Sequence, residues 1–150
     1  QMFYPELQKG SKFMRTEFTY SAYRRAWKGA ILAMEAHGMF NYGDKVPWTM
    51  LAMVGEGSHM RGYYEGRYRD KLLMEGQVEW RQHLWKRFGM AVFAGASNAF
   101  PDFKHIYFHQ ILPNAGIGVR WEFKKNVNLR VDFGLTRNKP GVEFNMSEAF

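Results

Sequence analysis

The segment His59 to Lys71, HMRGYYEGRYRDK, sets three arginines and three tyrosines among two glycines. Guanidinium groups recognise carboxylates and phosphates through a planar fork of donors, and aromatic rings stack on bases or on other cations. Such a run can be a nucleic-acid-binding patch, a solvated loop, or a plug that reaches into a polar interior. Catalytic patterns are weaker. His105 and His109 stand at i and i+4 in KHIYFHQ, but no Glu follows His105 as in the zinc-protease helix. Glu75 and Glu79 share one face of an alternating segment, the geometry for acid–base work, but a polar interior accounts for them better. Ser21, Ser97 and Ser147 find no His partner by register. No enzyme activity, cofactor or metal site is expected, and the chain has no cysteine for a thiolate site or a disulfide.

The whole chain must position these groups. Its 150 residues amount to one domain, 46% hydrophobic and 23% charged, with a net charge of +7. Aromatics are abundant, with 13 Phe, 8 Tyr and 5 Trp. Mean hydropathy is −0.46, which suits a soluble domain but also a membrane β-barrel, since half of each barrel strand faces a polar lumen. No apolar run reaches the roughly 18 residues of a transmembrane helix. The first residue, Gln1, suggests a processed or trimmed terminus.

The dominant period is two. In VNLRVDFGLTRN, Val127, Leu129, Val131, Phe133 and Leu135 alternate with Asn128, Arg130, Asp132, Gly134 and Thr136. In AGIGVRWEF, Ala115, Ile117, Val119, Trp121 and Phe123 alternate with Gly116, Gly118, Arg120 and Glu122. GVEFNMSEAF, FGMAVFAGAS, LLMEGQVEWRQ and KFMRTEFTYSA follow the same rule, so each reads as a strand with one apolar face. GAILAMEAHGMF is rich in helix formers yet also alternates, and its strand neighbours decide for a strand. Residues 1–8 supply an eighth, short strand, which Pro5 confines to an edge or seam.

Alternation does not say which face meets water. The polar face mixes Gly with charges of both signs, Arg130 with Asp132 and Arg120 with Glu122. Trp27, Trp85, Trp121, Phe123, Tyr20 and Tyr23 gather near the short links around Tyr23, Lys86 and Lys125. The links at 42–69 and 98–110 are long. Short turns on one side, long loops on the other and an aromatic girdle describe an outer-membrane barrel. The expected fold is therefore all-β: a transmembrane antiparallel up-and-down β-barrel of about eight strands, with a long motif-bearing loop.

With that organisation, MRGYYEGRYRDK before LLMEGQVEWR resembles the barrel of the outer-membrane assembly-factor superfamily, the BamA- and TamA-like bacterial surface antigen barrels. The matching residues are Arg61-Gly62-Tyr63 in the long loop and Glu79-Trp80-Arg81 on the strand after it, followed by VFAGASNAF and the closing VEFNMSEAF. The resemblance covers residues 25–150. It implies that the loop folds back into the lumen, with Arg61 held by acidic residues of the inner wall: Glu79, with Glu75 beside it on the same face. The family usually has a second acid on the following strand, where this chain has Gly95. It also implies that Phe144, Met146 and Phe150 form a C-terminal assembly signal, although Glu148 stands where such signals often carry an apolar residue.

The family barrel is about twice this size, so the chain corresponds to its C-terminal half, without the periplasmic binding domains that members usually carry. An eight-stranded interior is about filled by its own side chains, so a 42–69 loop is not expected to fit inside one. A shared barrel of two chains, a fragment of a longer protein, or a closed barrel with the loop outside would each resolve this. The implied location is the outer membrane of a Gram-negative bacterium. The implied partners are outer-membrane lipids, a second copy or larger barrel assembly, and unfolded outer-membrane polypeptides. The expected function is protein insertion or transport through a weak seam between Met2–Leu7 and Val142–Phe150. A structural or small-pore barrel is the alternative, and a soluble nucleic-acid-binding domain ranks below both; nucleic acid is not an expected partner.

Overall fold

The computed structural model describes residues 2–3, 13–43, 45–55, 59–104, 110–124, 127–136 and 140–145. The strands are β1 (Met2–Phe3), β2 (Met14–Trp27), β3 (Ala30–Tyr42), β4 (Ala52–Met53), β5 (Arg69–Asp70), β6 (Leu72–Trp85), β7 (Phe88–Phe100), β8 (Leu112–Lys124), β9 (Val127–Thr136) and β10 (Pro140–Asn145). Eight of them form one antiparallel sheet in the order β1-β2-β3-β6-β7-β8-β9-β10. This is an up-and-down meander, all-β as the alternation predicts. GAILAMEAHGMF lies inside β3, so the strand preference of its neighbours prevails over its helix-forming residues. Met2 and Phe3 pair with Thr16 and Arg15, which makes the N-terminal strand an edge. The remaining residues of the expected seam, 4–7 and 146–150, lie outside the described residues.

Two of the short turns are visible. β2 and β3 are joined at Lys28–Gly29, five residues beyond the expected link near Tyr23, and β6 and β7 at Lys86–Arg87. Gly29 takes φ 79°, a turn conformation that glycine adopts without a Cβ penalty. The ladders shift register at Arg25/Trp27, His83/Trp85 and Glu122/Lys124, all at this short-turn end. Such bulges bend a strand and raise its twist.

The sheet is strongly curled. Nη1 of Arg61 lies 2.5 Å from Glu79 of β6 and 3.1 Å from Asp132 of β9. In a flat sheet those strands, three ladders apart, would be separated by about 14 Å. The polar parity faces the concave side: Glu35, His37, Asn41, Glu75, Gln77, Glu79, Asn114, Arg120, Arg130 and Asp132 are all buried. The apolar parity faces out. Phe18, Met34, Val78, Ile117, Val131, Phe133 and Leu135 are exposed, the reverse of a soluble sheet packed on its apolar face.

The interior is filled by the segment between β3 and β6. It contains a 3-10 turn at Trp48–Met50 and the two-residue ribbon β4–β5, with Ala52 opposite Asp70 and Met53 opposite Arg69. Ala52, Val54 and Met60 of this segment pack with Met39, Leu73 and Leu112 of the wall as a buried apolar cluster. The long loop therefore enters the concavity, contrary to the expectation that an eight-stranded interior excludes it. At the short-turn end Trp27, Trp85 and Trp121 are exposed, and Phe88 stacks on Trp121. Tyr20 stands in mid-strand opposite Ala36, and Tyr23 lies opposite Ala33 with its ring centroid 6.0 Å from the Arg81 guanidinium. Both tyrosines lie further along β2 from the Lys28–Gly29 turn than Trp27 does.

Candidate functional site

The site is the seat of Arg61. Gly62 turns the chain there with φ +94°, and a Cβ on it would stand 2.9 Å from Thr136 Cγ2 and 3.2 Å from the Gly134 carbonyl oxygen. Opposite, Gly134 and Gly141 leave the wall bare: a Cβ on either would come within 2.9 Å of the Arg61–Gly62 backbone. Loop and wall thus meet backbone to backbone, at three positions where any larger side chain would separate them. Tyr63 completes the motif. Its hydroxyl donates to the Pro113 carbonyl at 2.8 Å, and its ring meets Tyr68 edge-on at 5.9 Å.

The side chain of Arg61 is wholly removed from solvent. Nη1 contacts Glu79 Oε2 and Asp132 Oδ2 at the distances given above, Nη2 donates to Gln77 Oε1 at 3.4 Å, and the guanidinium carbon lies 3.6 Å above the Phe93 ring centroid. Its carbonyl accepts from Asn114 Nδ2 at 3.0 Å. Two acids and four arginines share the cluster. Arg81 Nε reaches Glu79 at 2.6 Å, Arg120 spans Asp132 at 2.5 Å and Glu79 at 3.4 Å, and Arg130 Nε reaches Asp132 at 3.1 Å. Removing a guanidinium from water is costly unless it is paired and hydrogen-bonded. Here Glu79 and Gln77 of β6 and Asp132 of β9 pair the guanidinium at its Nη atoms, Phe93 of β7 covers its face and Asn114 of β8 holds the backbone carbonyl. This ties the loop to four strands and leaves Arg61 Nε as a buried donor without a hydrogen-bond partner among the described residues.

Of the residues singled out in the sequence, Arg61 and Glu79 come together. Glu75 is not among the described contacts of Arg61; Ser97 Oγ donates to its Oε1 at 3.3 Å. Gly95 cannot stand in for the second acid, because Asn114 Oδ1 lies 2.7 Å and the Gly76 carbonyl oxygen 2.8 Å from where its Cβ would be. The second acid is Asp132, from β9. Phe144 is exposed on the outer face opposite Val131, while Met146 and Phe150 lie outside the described residues.

A second loop anchor escapes the sequence reading. His59, two residues before Arg61, pairs through Nδ1 with Glu35 Oε1 and stacks on His37 with centroids 4.5 Å apart. Thr19 Oγ1 lies 3.0 Å from His37 Nδ1, and Ser21 Oγ donates to Glu35 Oε2 at 3.4 Å. A third anchor sits at the 3-10 turn, whose Met50 carbonyl accepts from Arg15 and Asn41. The inward parity of Glu35, His37, Arg15 and Asn41 was legible, but their loop partners depend on how the loop enters. Among the described residues no cluster of three or more His, Asp or Glu side chains could hold a metal ion.

The chain matches no family model, and it matches no curated protein.

Proposed function

We propose that this chain is an outer-membrane β-barrel domain of the BamA- and TamA-like assembly-factor type, which assists insertion or translocation of polypeptides at the outer membrane. The observation that carries the reading is the Arg61 seat. An arginine of an Arg-Gly-Tyr loop is sealed inside a curled antiparallel sheet by Glu79 of the following strand, while the opposite face of that sheet is apolar and exposed. An apolar exposed face supports contact with lipid rather than water. Strands of 13 to 14 residues exceed the roughly 9–11 needed to cross a bilayer at a steep tilt. No helix of the described residues is long and apolar enough to cross a membrane, so any crossing would be made by strands. Every backbone group of a strand in lipid must be paired, which calls for closure within one chain or with a second copy.

The alternative is a structural barrel of the same fold without insertase activity. The filled concavity favours this version over a small pore, since Met60, Val54 and Arg61 are buried where a channel would run. Folding kinetics separate the two. Vesicles carrying the folded chain should speed the insertion of an added unfolded outer-membrane polypeptide beyond vesicles carrying an unrelated barrel. Equal rates would rule out the insertase and leave the structural barrel.

A further inference from the structure

At the short-turn end the concave face opens into a pocket of about 290 Å³ that the loop does not fill. Arg81, Arg87 and Arg120 line it, against a single carboxylate, Glu122. Arg120 is buried at 7% exposure and forms the floor, whereas Arg87 is exposed at the rim. The Arg87 carbonyl accepts from the Glu122 backbone N–H at 2.8 Å, which fixes the turn against β8. Gly89 keeps the space open, for a Cβ there would stand 3.1 Å from the Gln82 carbonyl oxygen and 3.6 Å from Arg120 Cβ. Phe88 lines the same pocket and is exposed beside it.

We propose that this pocket binds a phosphate group. Arg81, Arg87 and Arg120 reach it from β6, the β6–β7 turn and β8. Arg81 and Arg120 also pair with Glu79 and Asp132, and guanidinium N–H groups beyond those pairs suit a tetrahedral oxyanion with several acceptor oxygens. The bound phosphate is either free, as inorganic phosphate or a soluble monoester, or the headgroup of a phospholipid lying against Phe88 at the rim. The site does not depend on the insertase reading, and its soluble form does not depend on the membrane.

The test uses the full chain folded in detergent. Inorganic phosphate is titrated by calorimetry at fixed ionic strength, with chloride as the balancing anion. Phosphate should bind the parent, and Arg87→Gln, a surface change that leaves the fold intact, should weaken binding roughly tenfold. Arg67→Gln, on the loop, should bind like the parent. Glycerol phosphate and phosphatidylglycerol-doped micelles then name the source: tighter binding of the first supports a soluble ligand, and of the second a lipid headgroup. The proposal is overturned if Arg87→Gln binds phosphate as well as the parent, or if acetate binds as tightly as phosphate.

Discussion

Arg61 holds its place because two carboxylates, an amide and an aromatic face meet it where no water does. The composition of the cluster decides which substitution costs more. Among the described contacts, two acids serve four arginines, so losing Glu79 leaves Arg61, Arg120 and Arg130 to share Asp132 and takes from Arg81 its pairing with Glu79. Losing Arg61 leaves both acids still paired. Glu79→Gln should therefore destabilise by about 3–5 kcal/mol, in the range for a broken buried pair, and Arg61→Gln by less. Urea unfolding of the detergent-folded protein measures the order, and the reverse order would contradict it. A reciprocal exchange of Arg61 and Glu79 should not restore stability, because an arginine at 79 would face Arg81 and Arg120. The pairing of Arg61 with Glu79 was legible from the motif and the strand parity. Asp132 was legible only as an inward charge, since its role depends on how far the sheet curls to bring β9 opposite β6, and curvature leaves no mark in a two-residue period.

The loop and the wall fit because the wall is glycine where the loop touches it. Gly134→Val should push the Arg61–Gly62 backbone off β9, at a cost of roughly 1–3 kcal/mol for overpacking a filled interior. Freed from its seat, the chain should become cleavable by trypsin after Arg61, a bond the parent protects, with the fragments read by mass spectrometry. An unchanged cleavage pattern would show that the glycine contact does not hold the loop. The resemblance implied a loop folded into the lumen, whereas a count of eight strands left its place open, because strand number does not give the volume of the inward side chains. Gly116, Gly118, Gly134 and Gly141 all stand on that inner parity, and with them the interior admits a chain segment. The strands themselves were legible almost throughout, β3 included. The turn at Lys28–Gly29 was misplaced because Arg24 and Arg25 interrupt the alternation that would have carried β2 to Trp27.

Across the molecule, the pattern of apolar and polar residues is inside out. Period two told which side chains share a face; it could not tell which face is solvated, because a soluble sandwich and a lipid-facing sheet have the same period. The curl resolves this, burying the charges and leaving Ile117 59% and Leu135 54% exposed. The net charge of +7 is in part internal: Arg61, Arg120 and Arg130 are buried against Glu79 and Asp132.

The absence of cysteine makes the decisive experiment simple. Ile117→Cys on the convex face and Thr19→Cys on the concave face are each labelled with an environment-sensitive fluorophore. The proteins are then refolded into vesicles containing bromine-labelled lipid, which quenches only probes within its reach. Strong quenching at position 117 and little at position 19 is the expected result. Equal quenching at both positions, or a protein that stays in the aqueous phase, would contradict a lipid-facing sheet built around a sealed arginine.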